Sequence, residues 1–161
     1  MKHAWVAVAA LTLTCSAAWP QTHEHKPGAQ KSGAAERAFG KAGDLRKITL
    51  VVRIEMADTM RFSPSEMTVK SGDTVHFEAR NAGKVMHEIV LGTMQGLKEH
   101  AASMRKHSGM KHDEPHMVHV APGKTGSIVW QFTRPGEFYY ACLVPGHFEA
   151  GMVGKIKVEA R

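Results

Sequence analysis

Residues 139–156 read YYACLVPGHFEAGMVGKI, and within them Cys142, His147 and Met152 stand at intervals of five. The segment before the cysteine alternates, with Phe138, Tyr140 and Cys142 on one face. After the methionine the alternation resumes, with Gly154, Ile156 and Val158 in the register of Met152. Period-two alternation marks half-buried strands. The stretch therefore predicts two strands joined by a loop, with a thiol aimed into the core and an imidazole and a thioether on the turn that follows it.

The same rhythm extends back to Arg46. Ile48, Leu50, Val52, Ile54 and Met56 alternate with Lys47, Thr49, Arg53 and Glu55. MTVKSGDTVHFEARNAG gives a short strand from Met67, a turn at Ser71–Gly72–Asp73, and then Val75, Phe77 and Ala79 inward. His76 alternates against these residues and is expected at the surface. KVMHEIVLG is a further strand, and KTGSIVWQFT puts Ile128, Trp130 and Phe132 on one face before a Pro135–Gly136 turn. Short strands separated by Gly and Pro turns predict an all-β sandwich. Met56, Met67 and Trp130 are expected in its core.

In VMHEIVL, Val85, His87, Ile89 and Leu91 share a face, which aims His87 inward with apolar neighbours. A histidine so placed needs a partner for at least one ring nitrogen. Two imidazoles, one thiolate and a weak thioether form the trigonal His₂Cys set with a distant axial Met of a blue-copper centre. Thiolate and thioether favour Cu(I), and imidazole tolerates both oxidation states, so a rigid sandwich holding all four would change little as one electron arrives or leaves. Zinc is the chemical competitor for Cys and His, and the thioether argues against it.

HEI on one strand, with YACLVPGHFEAGMVGKI near the C-terminus, resembles the cupredoxin family across roughly residues 46–161. The resemblance implies a Greek-key β-sandwich and a type 1 copper site of His87, Cys142, His147 and Met152. Many cupredoxins place Asn directly after the first histidine to tie the two ligand loops together. Here that position is Glu88, which leaves open what ties the loops and what sets colour and reduction potential.

The N-terminus reads as an export signal over residues 1–18: Lys2 and His3, the apolar run AWVAVAALTLT, and small residues at Ser16 and Ala18. The run is shorter than the roughly 20 residues a membrane span requires, so no membrane anchor is expected after cleavage. Cleavage would remove Cys15 and leave Cys142 without a disulfide partner in an oxidising compartment, where a lone thiol is either inert or occupied. Residues 19–43, rich in Gly, Ala, Lys and Pro, are expected to form a flexible arm, in which His23 and His25 are weak metal candidates. The net charge of +6 lies on a chain without aromatic interleaving and does not suggest nucleic acid as a partner.

Residues 93–120 interrupt the strand rhythm of the domain expected over 44–161. Leu97, Ala101 and Met104 form one helical stripe, with Gly109 as a stop signal. The insertion gathers Met94, Met104, Met110 and Met117 with His100, His107, His112, His116 and His119. Exposed Met and His together suit loose binding of Cu(I) and Cu(II). The segment is similar to those of periplasmic copper-resistance proteins, and the whole arrangement resembles the copper-tolerance cupredoxins of Gram-negative bacteria. That resemblance implies a periplasmic protein that binds copper, sequesters or oxidises Cu(I), and meets a redox or copper-handling partner. A soluble electron carrier is the alternative. A multicopper-oxidase or nitrite-reductase type of enzyme would place a histidine beside the cysteine, where this chain has Ala141 and Leu143.

Overall fold

Among the described residues, ten strands and one α-helix follow the turn punctuation of the chain. The computed structural model describes residues 36–106 and 114–161. The strands are β1 (Lys41–Ala42), β2 (Leu50–Ala57), β3 (Arg61–Ser63), β4 (Glu66–Lys70), β5 (Thr74–Asn81), β6 (His87–Gly92), β7 (Met117–Val120), β8 (Thr125–Gln131), β9 (Gly136–Ala141) and β10 (Val153–Glu159). Helix α1 (Met94–Lys106) lies between β6 and β7. One sheet runs β1-β8-β5-β2-β3 and the other β4-β10-β9-β6-β7. Two pairings, β2 with β5 and β4 with β10, are parallel. The crossovers these demand make the sandwich more than a set of hairpins.

The core between the sheets holds the expected inward residues: Ile54, Met56, Val75, Phe77, Ile128, Trp130, Phe132, Tyr140, Ile156 and Val158 are all buried. Met67 is partly buried against them, and His76 is half-buried beside Glu78. Gly154 pairs with Tyr140 across β10 and β9. The Tyr140 ring lies over that glycine so closely that a Cβ there would sit 2.0 Å from Cζ. Its hydroxyl crosses to donate to the Pro64 carbonyl at 2.5 Å.

Several expectations need correction. Residues 45–47 form a 3₁₀ turn capped by Asp44, whose side chain accepts from the Arg46 N–H. The strand therefore begins at Leu50, leaving Ile48 half-buried and Leu50 38 % exposed. Val85 is exposed as well, because it precedes β6 in a turn rather than joining its inner face. The arm expected over 19–43 is structured over its last residues: β1 pairs with β8, and Phe39 stacks on Trp130 at 5.2 Å and accepts from its Nε1–H at 2.9 Å. A lone aromatic in a polar stretch gave no periodicity to read.

The insertion also divides. Leu97 and Ala101 of α1 pack with Val90, Met117, Ala141 and Leu143 on the outer face of the second sheet. This covering helix is why every residue of β6 is buried, where simple alternation predicts one wet face. The end of the expected insertion is β7, hydrogen-bonded to β6. Met117 and His116 are consequently buried rather than displayed on a loop.

Candidate metal centre

Antiparallel pairing of β6 with β9 brings the start of one strand to the end of the other. His87 opens β6 and Cys142 follows β9, so topology joins residues 55 positions apart. From Cys142 the chain turns through a loop closed by its own backbone. His147 N–H donates to Val144 O, Met152 N–H to His147 O, and Cys142 N–H to Met152 O, at 2.9–3.1 Å. Arg61 pins the loop from β3 by donating to the Ala150 carbonyl at 2.8 Å, and Arg105 of α1 is ion-paired with Glu149.

The result is a compact donor set. Sγ of Cys142 lies 3.2 Å from Nδ1 of His147 and 3.9 Å from Nδ1 of His87. One donor atom from each of the three residues falls within 4.8 Å of the others. The imidazole rings are 4.9 Å apart and tilted by 52°. Met152 is fully buried in the same core cluster as Cys142. His87 is also fully buried, while His147 forms the more accessible edge.

Burial pushes the Cys142 thiol up to about 12, opposed by the backbone N–H groups of Glu88 and Val144, which point at the sulfur and favour its anion. Burial and neighbouring His87 hold His147 below the usual imidazole range. A protonated thiol beside two imidazoles is a site from which a cation displaces a proton. The N–H groups are already in place to support the thiolate that results.

Glu88 performs the tie between the ligand segments. Its carboxylate accepts from the Leu143 N–H at 2.8 Å through Oε1, and Oε2 lies 2.7 Å from Nδ1 of His119 on β7. Burial raises the Glu88 carboxyl, against the pull of His119 and the Leu143 N–H. His119, expected as a candidate metal donor, thus packs against a carboxylate. His116 lies against Phe39 and Trp130 at ring separations of 5.6 and 5.9 Å. Met94, His100 and Met104 lie half-buried on α1. His23, His25, His107, Met110, His112 and the stop signal at Gly109 lie outside the described residues.

Two further residues at the site carried no sequence signal. Asp58, in the turn after β2, has Oδ1 at 3.2 Å from Nε2 of His87. Buried Asn81 donates to the Val85 and Val120 carbonyls at 2.8 and 2.9 Å, holding the approach to β6. A polar residue in a turn reads as turn chemistry, and only long-range pairing shows what it faces.

A family model described as copper binding proteins, plastocyanin/azurin family, matches residues 48–159. The chain belongs to that family of copper-binding proteins. It is 48 % identical over 162 residues to the "Copper-resistant cuproprotein CopI" of Rubrivivax gelatinosus, covering 98 % of this chain and 96 % of the relative. Against the protein of the same description in Pseudomonas aeruginosa it is 34 % identical, covering 81 % and 88 %. Among solved structures, auracyanin B superposes with a TM-score of 0.62 at 20 % identity over 74 % of this chain and 95 % of that one. That likeness shows the sandwich fold alone.

Proposed function

We propose that the protein is a periplasmic type 1 copper protein of copper tolerance, holding one copper ion through His87, Cys142 and His147 with Met152 as the weak axial donor. The observation that carries this reading is the Cys142 sulfur set 3.2 and 3.9 Å from two imidazole Nδ1 atoms. The donor chemistry fits copper: a thiolate and a thioether suit Cu(I), and paired imidazoles also serve Cu(II). Similarity to copper-resistant cuproproteins over nearly the full chain supports the tolerance role. Export through a signal over residues 1–18 supports the periplasmic location; no helix among the described residues is long and apolar enough to cross a membrane.

Within this reading the protein sequesters Cu(I) or oxidises it at its own centre. The Met/His segment of α1 and residues 107–113, with His23 and His25, provide looser sites that catch incoming ions. The test is optical. Cu(II) loading of the mature wild type gives an intense sulfur-to-copper band, and Cys142→Ala abolishes it. An unchanged spectrum in that variant removes the assignment.

One observation favours a second reading as an electron carrier. Val85 and Met86 are exposed, 43 % and 44 %, immediately before His87. Apolar surface beside a metal ligand suits transient docking of a redox partner. A deletion strain that becomes copper-sensitive with normal respiration supports tolerance, and the reverse phenotype supports the carrier.

A further inference from the structure

We propose that Asp58 is a positioning residue for the metal centre: its carboxylate fixes the proton of His87 on Nε2, presents Nδ1 to the metal, and strengthens that imidazole as a donor to Cu(II). The inference rests on the ligand assignment of the preceding section. His87 is fully buried, and its two nitrogens face different groups: Nδ1 looks at the Cys142 sulfur at 3.9 Å, while Nε2 meets Asp58 Oδ1 at 3.2 Å. An ionised carboxylate only accepts hydrogen bonds. The ring proton at that contact therefore resides on Nε2, and the lone pair of Nδ1 points toward the sulfur.

Asp58 is held in place for this task. Its Oδ2 accepts from the Lys84 N–H at 2.8 Å, which keeps the carboxylate against the segment leading into β6. The Val85 N–H reaches Oδ1 at 3.4 Å, so both oxygens of this carboxylate already accept from backbone donors. The carboxylate also lies close against Gly83: a Cβ there would sit 2.0 Å from Asp58 Oδ1. Asn81 fixes Gly83 in turn by accepting its N–H at 2.8 Å.

A carboxylate on the outer nitrogen of a ligating histidine raises the basicity of the inner one and orients the ring. A stronger nitrogen donor stabilises Cu(II) more than Cu(I), because the softer cuprous ion draws more of its binding from sulfur. Asp58 thus lowers the reduction potential and favours release of the electron from a reduced centre.

The test uses the full chain in three variants: Asp58→Asn, Asp58→Ala, and Gly83→Ala, which displaces the carboxylate while keeping its charge. All three are expected to raise the reduction potential and to weaken Cu(II) binding by about tenfold or more, with Cu(I) binding changed less. Ring-nitrogen NMR of the metal-free and Cu(I) wild type is expected to show the His87 proton on Nε2, exchanging slowly. In the Asp58 variants that protection is lost.

A wild-type proton on Nδ1 overturns the proposal, and this readout requires no variant to fold. Folded variants with wild-type potentials overturn it as well. A raised potential with an unchanged ring proton also overturns it, since Asp58 would then act only as a distant charge. If the wild type lacks the Cys142-dependent band, the ligand assignment fails instead.

Discussion

Glu88 and Leu143, the chain neighbours of His87 and Cys142, are joined by a 2.8 Å hydrogen bond between a buried carboxylate and a backbone N–H. The bond links the strand that carries His87 to the loop that carries His147 and Met152. It does the work of the Asn that many cupredoxins place there, and it adds a reach to His119 on β7. The extra methylene of Glu, relative to Asn, is accommodated because β7 and α1 close over this face.

Removing that carboxylate should be costly. Glu88→Ala leaves the Leu143 N–H and His119 Nδ1 without their acceptor, and we expect a loss of about 2–4 kcal/mol in the denaturant unfolding of the metal-free protein. Glu88→Gln keeps an acceptor for Leu143 and should lose less than half as much. Equal losses in the two variants would show that the charge, rather than the tie, matters.

Phe39 anchors the segment ahead of β2. It is 8 % exposed, stacked on Trp130, and its carbonyl accepts from the indole. Phe39→Ala opens a cavity beside the largest core side chain and should cost about 3 kcal/mol, read as a lower urea midpoint. A midpoint within error of wild type would show that the segment contributes nothing to the sandwich.

Burial and nearby Arg37 lower His116 to about 4. The unfolded chain binds this proton near pH 6.5, so stability present above that pH is lost as the pH falls toward about 4. We expect this group to account for about 2–3 kcal/mol of acid destabilisation in the metal-free protein. His116→Phe should flatten that part of the thermal-midpoint profile between pH 6.5 and 4; an identical profile would exclude His116 as a source.

The proposed capture of copper by the insertion can be tested on its histidines and methionines other than those the structure commits elsewhere. Because His116, Met117 and His119 are committed to packing and pairing, replacing His107, Met110 and His112 together should lower Cu(I) stoichiometry toward about one per chain without changing the type 1 band. The same stoichiometry in variant and wild type would assign the extra sites elsewhere.

Gly154 tests the packing below the centre. Gly154→Ala drives a methyl into the Tyr140 ring and should destabilise by about 1–3 kcal/mol while breaking the bond to Pro64. Near-UV circular dichroism would report displacement of the tyrosine, and an unchanged tyrosine signal would refute the clash.

The strands and the four donor candidates were legible because burial of one sheet face imposes a two-residue period, and because Cys142, His147 and Met152 are close in sequence. His87 was readable as inward by the same alternation. The period failed where a second layer intervened: α1 covers the outer face of β6, so Glu88 is buried where alternation places it in water. It failed again at Phe39 and at β7, short pieces whose partners lie far away in the chain.

By itself, then, the sequence determined the class of fold, the soft donor set and the metal those donors suit, since each follows from local spacing and side-chain chemistry. Tertiary structure alone decided the surroundings of that set: Asp58 on the outer nitrogen of His87, Glu88 between Leu143 and His119, and the sorting of the insertion into helix, strand and remainder. Those contacts join positions 29 to 55 residues apart where they involve the ligands or Glu88. Only strand pairing brings such groups within hydrogen-bond reach, and no local pattern records which turn faces which.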